Sequence, residues 1–451
     1  MINHPSAAWL LEQEARALLT RVAAVQPFVL QETCVAAAAP SPEALSGIEQ
    51  HLIAGRREVH AHIREFLRWI RGPGSHASPS EQQRRFSLLR LRFQNVLTQF
   101  DLFSEVITQR SEADNGVLLS GLDVAAAEAL YLPGRPFDGP PVLCSLYRGI
   151  GGAIRRARTR LPGGGSNPVA LIRIPRERVI GYGIASSLVH EVGHQGAALL
   201  ELVESFREDL RSIRLRTRLR TAWDLWALWA SEILADFWSI AKIGISSTLG
   251  LLNLVSLPRA FVFRPPDEDP HPVPWLRVQL SCEIGDRLYP DSQWRQLATT
   301  WRAMYPLAGV RPELAEKLSQ LRSTLPAFVT VLLGHRPPRL RGRSLSEVLR
   351  SPQLRRNALL QRFSEWQADP SQMSLAPPTV AFAVLGQARA SGRLTPERES
   401  RMLRRLITMW AVTSALETAR AATRSDVAMF VGQPAIWTTP SAQPERLLTA
   451  I

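Results

Sequence analysis

SSLVHEVGHQGAALL, residues 186–200, sets two histidines, His190 and His194, four positions apart with Glu191 beside the first. Around them Ala185, Leu188, Val189, Val192 and Ala197 are apolar, the pattern of a helix sunk into a protein interior with one polar face. On such a helix positions i and i+4 project from the same side, so a single ion can take both imidazoles. Glu191 stands next to them, placed to act as a base beside a metal without ligating it.

A metal of this kind wants a third protein ligand and one open position. The segment DLWALWASEILADFW, residues 224–238, offers Glu232, with Asp236 one helical turn later to accept the free N–H of a ligand histidine, His190 in the first place. Glu201 and Glu204 compete for the third position, but they continue along the helix that carries the histidines and would have to fold back onto it. Trp223, Trp226, Trp229 and Trp238, around Glu232, read as core packing. Farther on, EDPHPVPWLRV, residues 268–278, places His271 in a proline-fixed loop and Arg277 six positions later. His271 can steady negative charge that develops opposite the metal, and Arg277 can orient a carbonyl or pair with an acidic group.

Working outward, residues 1–110 read as an N-terminal helical region with apolar positions at three- and four-residue spacing. Within it RGPGSHASPS, residues 71–80, is a Gly, Pro and Ser loop expected to be mobile. Residues 111–290 form the core region, where the turn clusters PGRPFDGPP and LPGGGSNP surround VALIRIP, residues 169–175, a strand. Two long helical stretches follow, 184–219 and 222–240. Residues 291–451 read as a C-terminal helical region, with a linker at 366–380 and a last helix that starts with Thr395 as cap and Pro396 in its first turn. The fold class is α+β, predominantly α-helical.

The chain is 451 residues long and 45% apolar, enough for a sizeable core. Its formal charge of +14 is the kind that attracts polyanions. Yet Lys242 and Lys317 are the only lysines, and the densest run, Arg211, Arg214, Arg216, Arg218 and Arg220, has no interleaved aromatics to stack bases, so nucleic acid is not the expected partner. Cys34, Cys144 and Cys282 are far apart and odd in number, which suggests neither disulfides nor a cysteine metal knot and favours a reducing, cytoplasmic setting. No window is apolar enough to span a bilayer, and the first residues show no secretory pattern.

HEVGH, SEILAD and DPHPVPWLR together resemble the gluzincin zinc metallopeptidases, standing for the HExxH motif, the ExxxD motif and the later histidine and arginine element. The spacing of the last element is similar to neprilysin-like peptidases, while SEILAD and HPVPWLR also look like the CAAX-prenyl-protease and HtpX group. The resemblance covers three short motifs within residues 165–280. Relative to thermolysin-like enzymes the interval from His194 to Glu232 is longer, and the membrane helices of the prenyl-protease group are missing. It implies a zincin-like core with Zn2+ on His190, His194 and Glu232, Glu191 as general base, Asp236 supporting a ligand, and His271 with Arg277 contacting a peptide or protein substrate. In the zincin plan VALIRIP is the edge strand on which an extended substrate pairs. The other readings are a metal-containing interaction module without catalysis and an arginine-rich nucleic-acid-binding protein.

Overall fold

The structure is a computed structural model that describes residues 6–431, with positions 150, 180 and 268 outside the description. The start of the N-terminal helical region, 1–5, and the end of the C-terminal one, 432–451, therefore lie outside the described residues.

Three helices open the chain: α1 (Ala7–Ala24), α2 (Pro42–Arg71) and α3 (Pro79–Thr108). Each starts where a serine caps it; the Ser41 and Ser78 hydroxyls accept from Ala44 N and Glu81 N, and prolines occupy the first helical positions where no N–H is needed. Leu11, Leu18, Ile63, Phe66, Phe86 and Phe93 bury the faces on which the three pack. The 71–80 segment is pinned rather than loose. Gln82 Nε2 donates to Gly74 O at 2.8 Å and to Ala77 O at 3.1 Å, and Gly74 lies buried against the Trp69 ring.

After α4 (Ala113–Leu130) come three strands, β1 (Val142–Tyr147), β2 (Ala153–Arg155) and β3 (Ala170–Pro175), in the order β1-β3-β2. β1 runs parallel to β3, from Val142 opposite Ala170 to Tyr147 opposite Pro175, and β2 is antiparallel to it. VALIRIP is thus the central strand, and the edge-strand expectation is corrected. Its near-continuous apolar run marks a strand covered on both faces. Leu171 packs with Phe103 and Ile107 of α3, while Ala170, Ile172 and Ile174 turn to the main core. The short edge strand β2 keeps Ala153 and Arg155 exposed.

The stretch expected as one helix over 184–219 is two, α5 (Tyr182–Leu199) and α6 (Leu202–Arg214), with Glu201 at φ +55° between them. The next stretch also divides, at Trp229, into α7 (Arg220–Leu228) and α8 (Ala230–Ile243). α9 (Ile245–Val255), α10 (Arg259–Val262), α11 (Pro274–Leu288), α12 (Ser292–Met304) and α13 (Pro312–Gly334) follow. The chain then runs through α14 (Leu345–Leu349), α15 (Arg356–Ala368), α16 (Ser371–Ser374), α17 (Pro378–Ala390) and α18 (Pro396–Val431). Thr395 caps α18 as expected, its hydroxyl accepting from Arg398 N at 3.4 Å.

α5 sits at the centre, packed by α4, α8, α9 and α17, and α18 packs along α4. One apolar core runs from Leu119 to Trp410. The divide expected near residue 290 therefore separates no cores, and the 366–380 segment is a helical connection with Met373 buried. The architecture is α+β and mainly helical, with one small three-stranded sheet.

Candidate metal centre

The centre is made where α5 crosses α8. A Cβ on Gly193 would stand 2.8 Å from Ala235 Cα, so the glycine of HEVGH lets the two helices approach closely. That approach brings Glu232, in the first turn of α8, level with both histidines of α5. His190 Nε2 lies 3.4 Å from Glu232 Oε2, and His194 Nε2 lies 3.4 Å from Glu232 Oε1. One ligand atom from each of the three falls within 4.8 Å of the others. Glu232 Oε2 is buried without a hydrogen-bond partner although it faces two imidazoles. A buried carboxylate oxygen left orphaned amid nitrogen lone pairs is what a divalent cation would satisfy, so these residues fit a metal of the kind bound by two histidines and a carboxylate.

Around this set stands a ring of supports. Asp236, one turn beyond Glu232, meets His190 Nδ1 at 2.9 Å, as the sequence suggests. The buried Arg277 guanidinium donates to both Asp236 oxygens, at 2.6 and 2.8 Å, and lies 3.6 Å from Glu232. Of its two expected roles, pairing with an acidic group is the one the geometry carries. His271 presents Nε2 to Glu232 Oε2 at 3.3 Å, while its Nδ1 meets Asp269 at 2.6 Å. Asp269 also accepts from His271 N and from Arg264, and its carbonyl accepts from Trp229 Nε1 at 3.2 Å. Ser231 Oγ lies 3.4 Å from His194 Nδ1. Sequence reasoning missed Asp269, Arg264 and Ser231; the first is flagged only by its place two residues before His271.

Charge follows from this packing. Burial opposes a proton on His190, but the Asp236 carboxylate at Nδ1 and the Glu232 carboxylate near Nε2 outweigh it and raise the ring to about 10. Burial, joined by His190, lowers His194 to about 4. Burial works against Glu232 ionising, yet His190, His194 and Arg277 hold it down to about 2, and Asp236 is depressed further by Arg277 and His190. Glu191 goes the other way, pushed up to about 7 chiefly by burial.

The centre opens on a cleft of about 530 Å³ lined by Gly152, Arg178, His190, Glu191 and His271, with Leu251, Leu254 and Val255 as an apolar wall. Gly152 touches Glu191 so closely that a Cβ there would stand 2.6 Å from Oε1. Glu201 and Glu204 are elsewhere, paired with Arg339 at 2.5 Å and Arg207 at 2.6 Å. The four tryptophans are buried in the core, as read. In the arginine run Arg214 pairs with Asp224, and Arg211, Arg216, Arg218 and Arg220 are exposed. Comparison with protein-family models, curated proteins and solved structures finds no match.

Proposed function

We propose that this protein is a zinc-dependent peptidase of the gluzincin kind, acting on a peptide or protein substrate. The observation that carries the reading is the convergence of His190, His194 and Glu232 within 4.8 Å, with Glu191 beside them on an open cleft. His190, His194 and Glu232 would hold the zinc, which would supply Lewis acidity towards a carbonyl and a water. Glu191, buried at the edge of the cleft beside the two histidines, is placed to take the water's proton and pass it to the leaving nitrogen. His271, whose Nδ1 donates to Asp269, turns Nε2 to the centre; burial lowers its pKa, so it steadies the oxygen that gains charge only where it takes up a second proton. Asp236 and Arg277 keep the His190 ring in place.

Glu191→Gln is expected to retain the zinc, read by elemental analysis, and to lower peptide turnover by about 100-fold or more. His194→Ala is expected to lose zinc and turnover together. Turnover retained in either variant overturns the reading, and zinc without hydrolysis in the wild type leaves an interaction module. No helix among the described residues is long and apolar enough to cross a membrane, which suits a substrate met in water.

A further inference from the structure

α11 carries Arg277 to the metal centre and, in its later turns, carries Gln279, Cys282, Glu283 and Asp286 to a separate cavity of about 330 Å³ against α12 and α13. The charges that line it do not cancel. Asp286 is matched by Arg295 at 3.1 Å and Glu283 by Arg287 at 3.2 Å. Arg302 donates only to the Thr299 hydroxyl, at 2.9 Å, and Arg322 makes no ion pair or hydrogen bond among the described residues. Two guanidinium groups therefore share one cavity with no carboxylate of their own. Burial and then Arg322 both bear against the charge on Arg302.

Gln279 adds a second, independent observation. It is 4% exposed, its Nε2 donates to Trp275 O at 2.9 Å, and its Oε1 is buried without a partner. Because Nε2 is engaged by a carbonyl, the amide orientation is fixed and the orphan atom is an acceptor. The cavity thus offers two guanidinium groups without carboxylate partners, and Gln279, one of its lining residues, carries a buried acceptor without a partner.

We propose that this cavity binds a small dicarboxylate that carries a hydroxyl or amino group on its carbon chain, its carboxylates meeting Arg302 and Arg322 and its donor meeting Gln279 Oε1. Planar guanidinium groups pair with carboxylates through two parallel bonds, and the volume suits a ligand of this size. The site is independent of the metal reading, since none of these residues belongs to that centre.

Calorimetric titration of the full chain with L-malate, L-aspartate and succinate tests it, the three sharing a skeleton and differing in the donor. L-malate, L-aspartate or both are expected to bind, with succinate at least about 10-fold weaker because the buried acceptor stays unpaired. The hydroxy acid alone or the amino acid alone identifies the donor, and both outcomes support the proposal. Arg322→Gln, at an exposed position, is expected to weaken binding at least about 10-fold, since charge-assisted pairs carry the affinity. Gln279→Leu is expected to abolish the preference over succinate. No heat with any of the three at 10 mM, succinate binding as tightly as the others, or binding unchanged in Arg322→Gln overturns it.

Discussion

Asp236 serves two partners at once, meeting His190 Nδ1 with one oxygen and gripping the Arg277 guanidinium with both. Asp236 and Arg277 are both buried, so the carboxylate cannot be removed without stranding a cation in a poorly solvated interior. Losing one member of such a pair costs about 3–5 kcal/mol, and Asp236→Ala is expected to lower the unfolding free energy by that order in a denaturant titration. Asp236→Asn keeps the shape but removes the charge that orients His190, and zinc affinity is expected to fall about 10- to 100-fold in competition with a chromogenic chelator. Unchanged affinity in Asp236→Asn would mean that His190 needs no such support. The convergence of His190 and His194 was legible because i, i+4 spacing on a helix fixes which side chains share a face. Asp269 was not, because its bond to His271 depends on a loop conformation that no periodicity announces.

At the scale of elements, the crossing of α5 and α8 decides whether the ligands meet. Gly193→Ala forces a methyl to within 2.8 Å of Ala235 Cα, and the overpacked crossing is expected to cost about 1–3 kcal/mol. Spreading the helices also withdraws Glu232 from the histidines, so zinc affinity should fall together with the melting temperature. Loss of stability with metal affinity intact would separate the crossing from the ligand geometry. The helices themselves were readable from their apolar spacing, but their breaks were not. Glu201 takes a left-handed backbone at φ +55° without the glycine that usually signals it, so 184–219 read as one element. The strand at 169–175 was readable as a strand, whereas its central place depends on β1 and β2, partners drawn from turn-rich segments with weak patterns of their own.

At the scale of the whole molecule, α18 belongs to the same core as the helices that carry the candidate centre, through Leu403, Leu406, Ile407 and Trp410. It also buries Glu399, 2% exposed, beside Gly181 at the start of α5. Burial raises this carboxyl from 4.5 to about 7, with Arg389 at 3.6 Å only partly opposing the rise. Between those values the folded chain keeps a proton that the unfolded chain has released, so stability falls as pH rises through the interval and is level above it. Glu399→Gln should remove the slope, matching the wild type near pH 4.5 and exceeding it at pH 8 by about 1–3 kcal/mol. Melting curves at the two pH values check it, and a wild type that gains on the variant with rising pH would contradict the burial of this group.

The pairing of α4 with α18, beside the tie of α4 to α17 in which Glu128 accepts from Thr379 N and Oγ1 at 2.9 and 3.0 Å, has a consequence for biosynthesis. On the ribosome, α5, α8 and α11 emerge well before α18, since the candidate-centre residues they carry lie between His190 and Arg277. Among the described helices α18 is translated after all the others. Until then the face of α4 at Gly121, which lies against Ile407, has no cover from α18 and waits in the nascent chain. Completion of this core therefore waits for α18, and the interval before that helix emerges is when the chain most needs a chaperone.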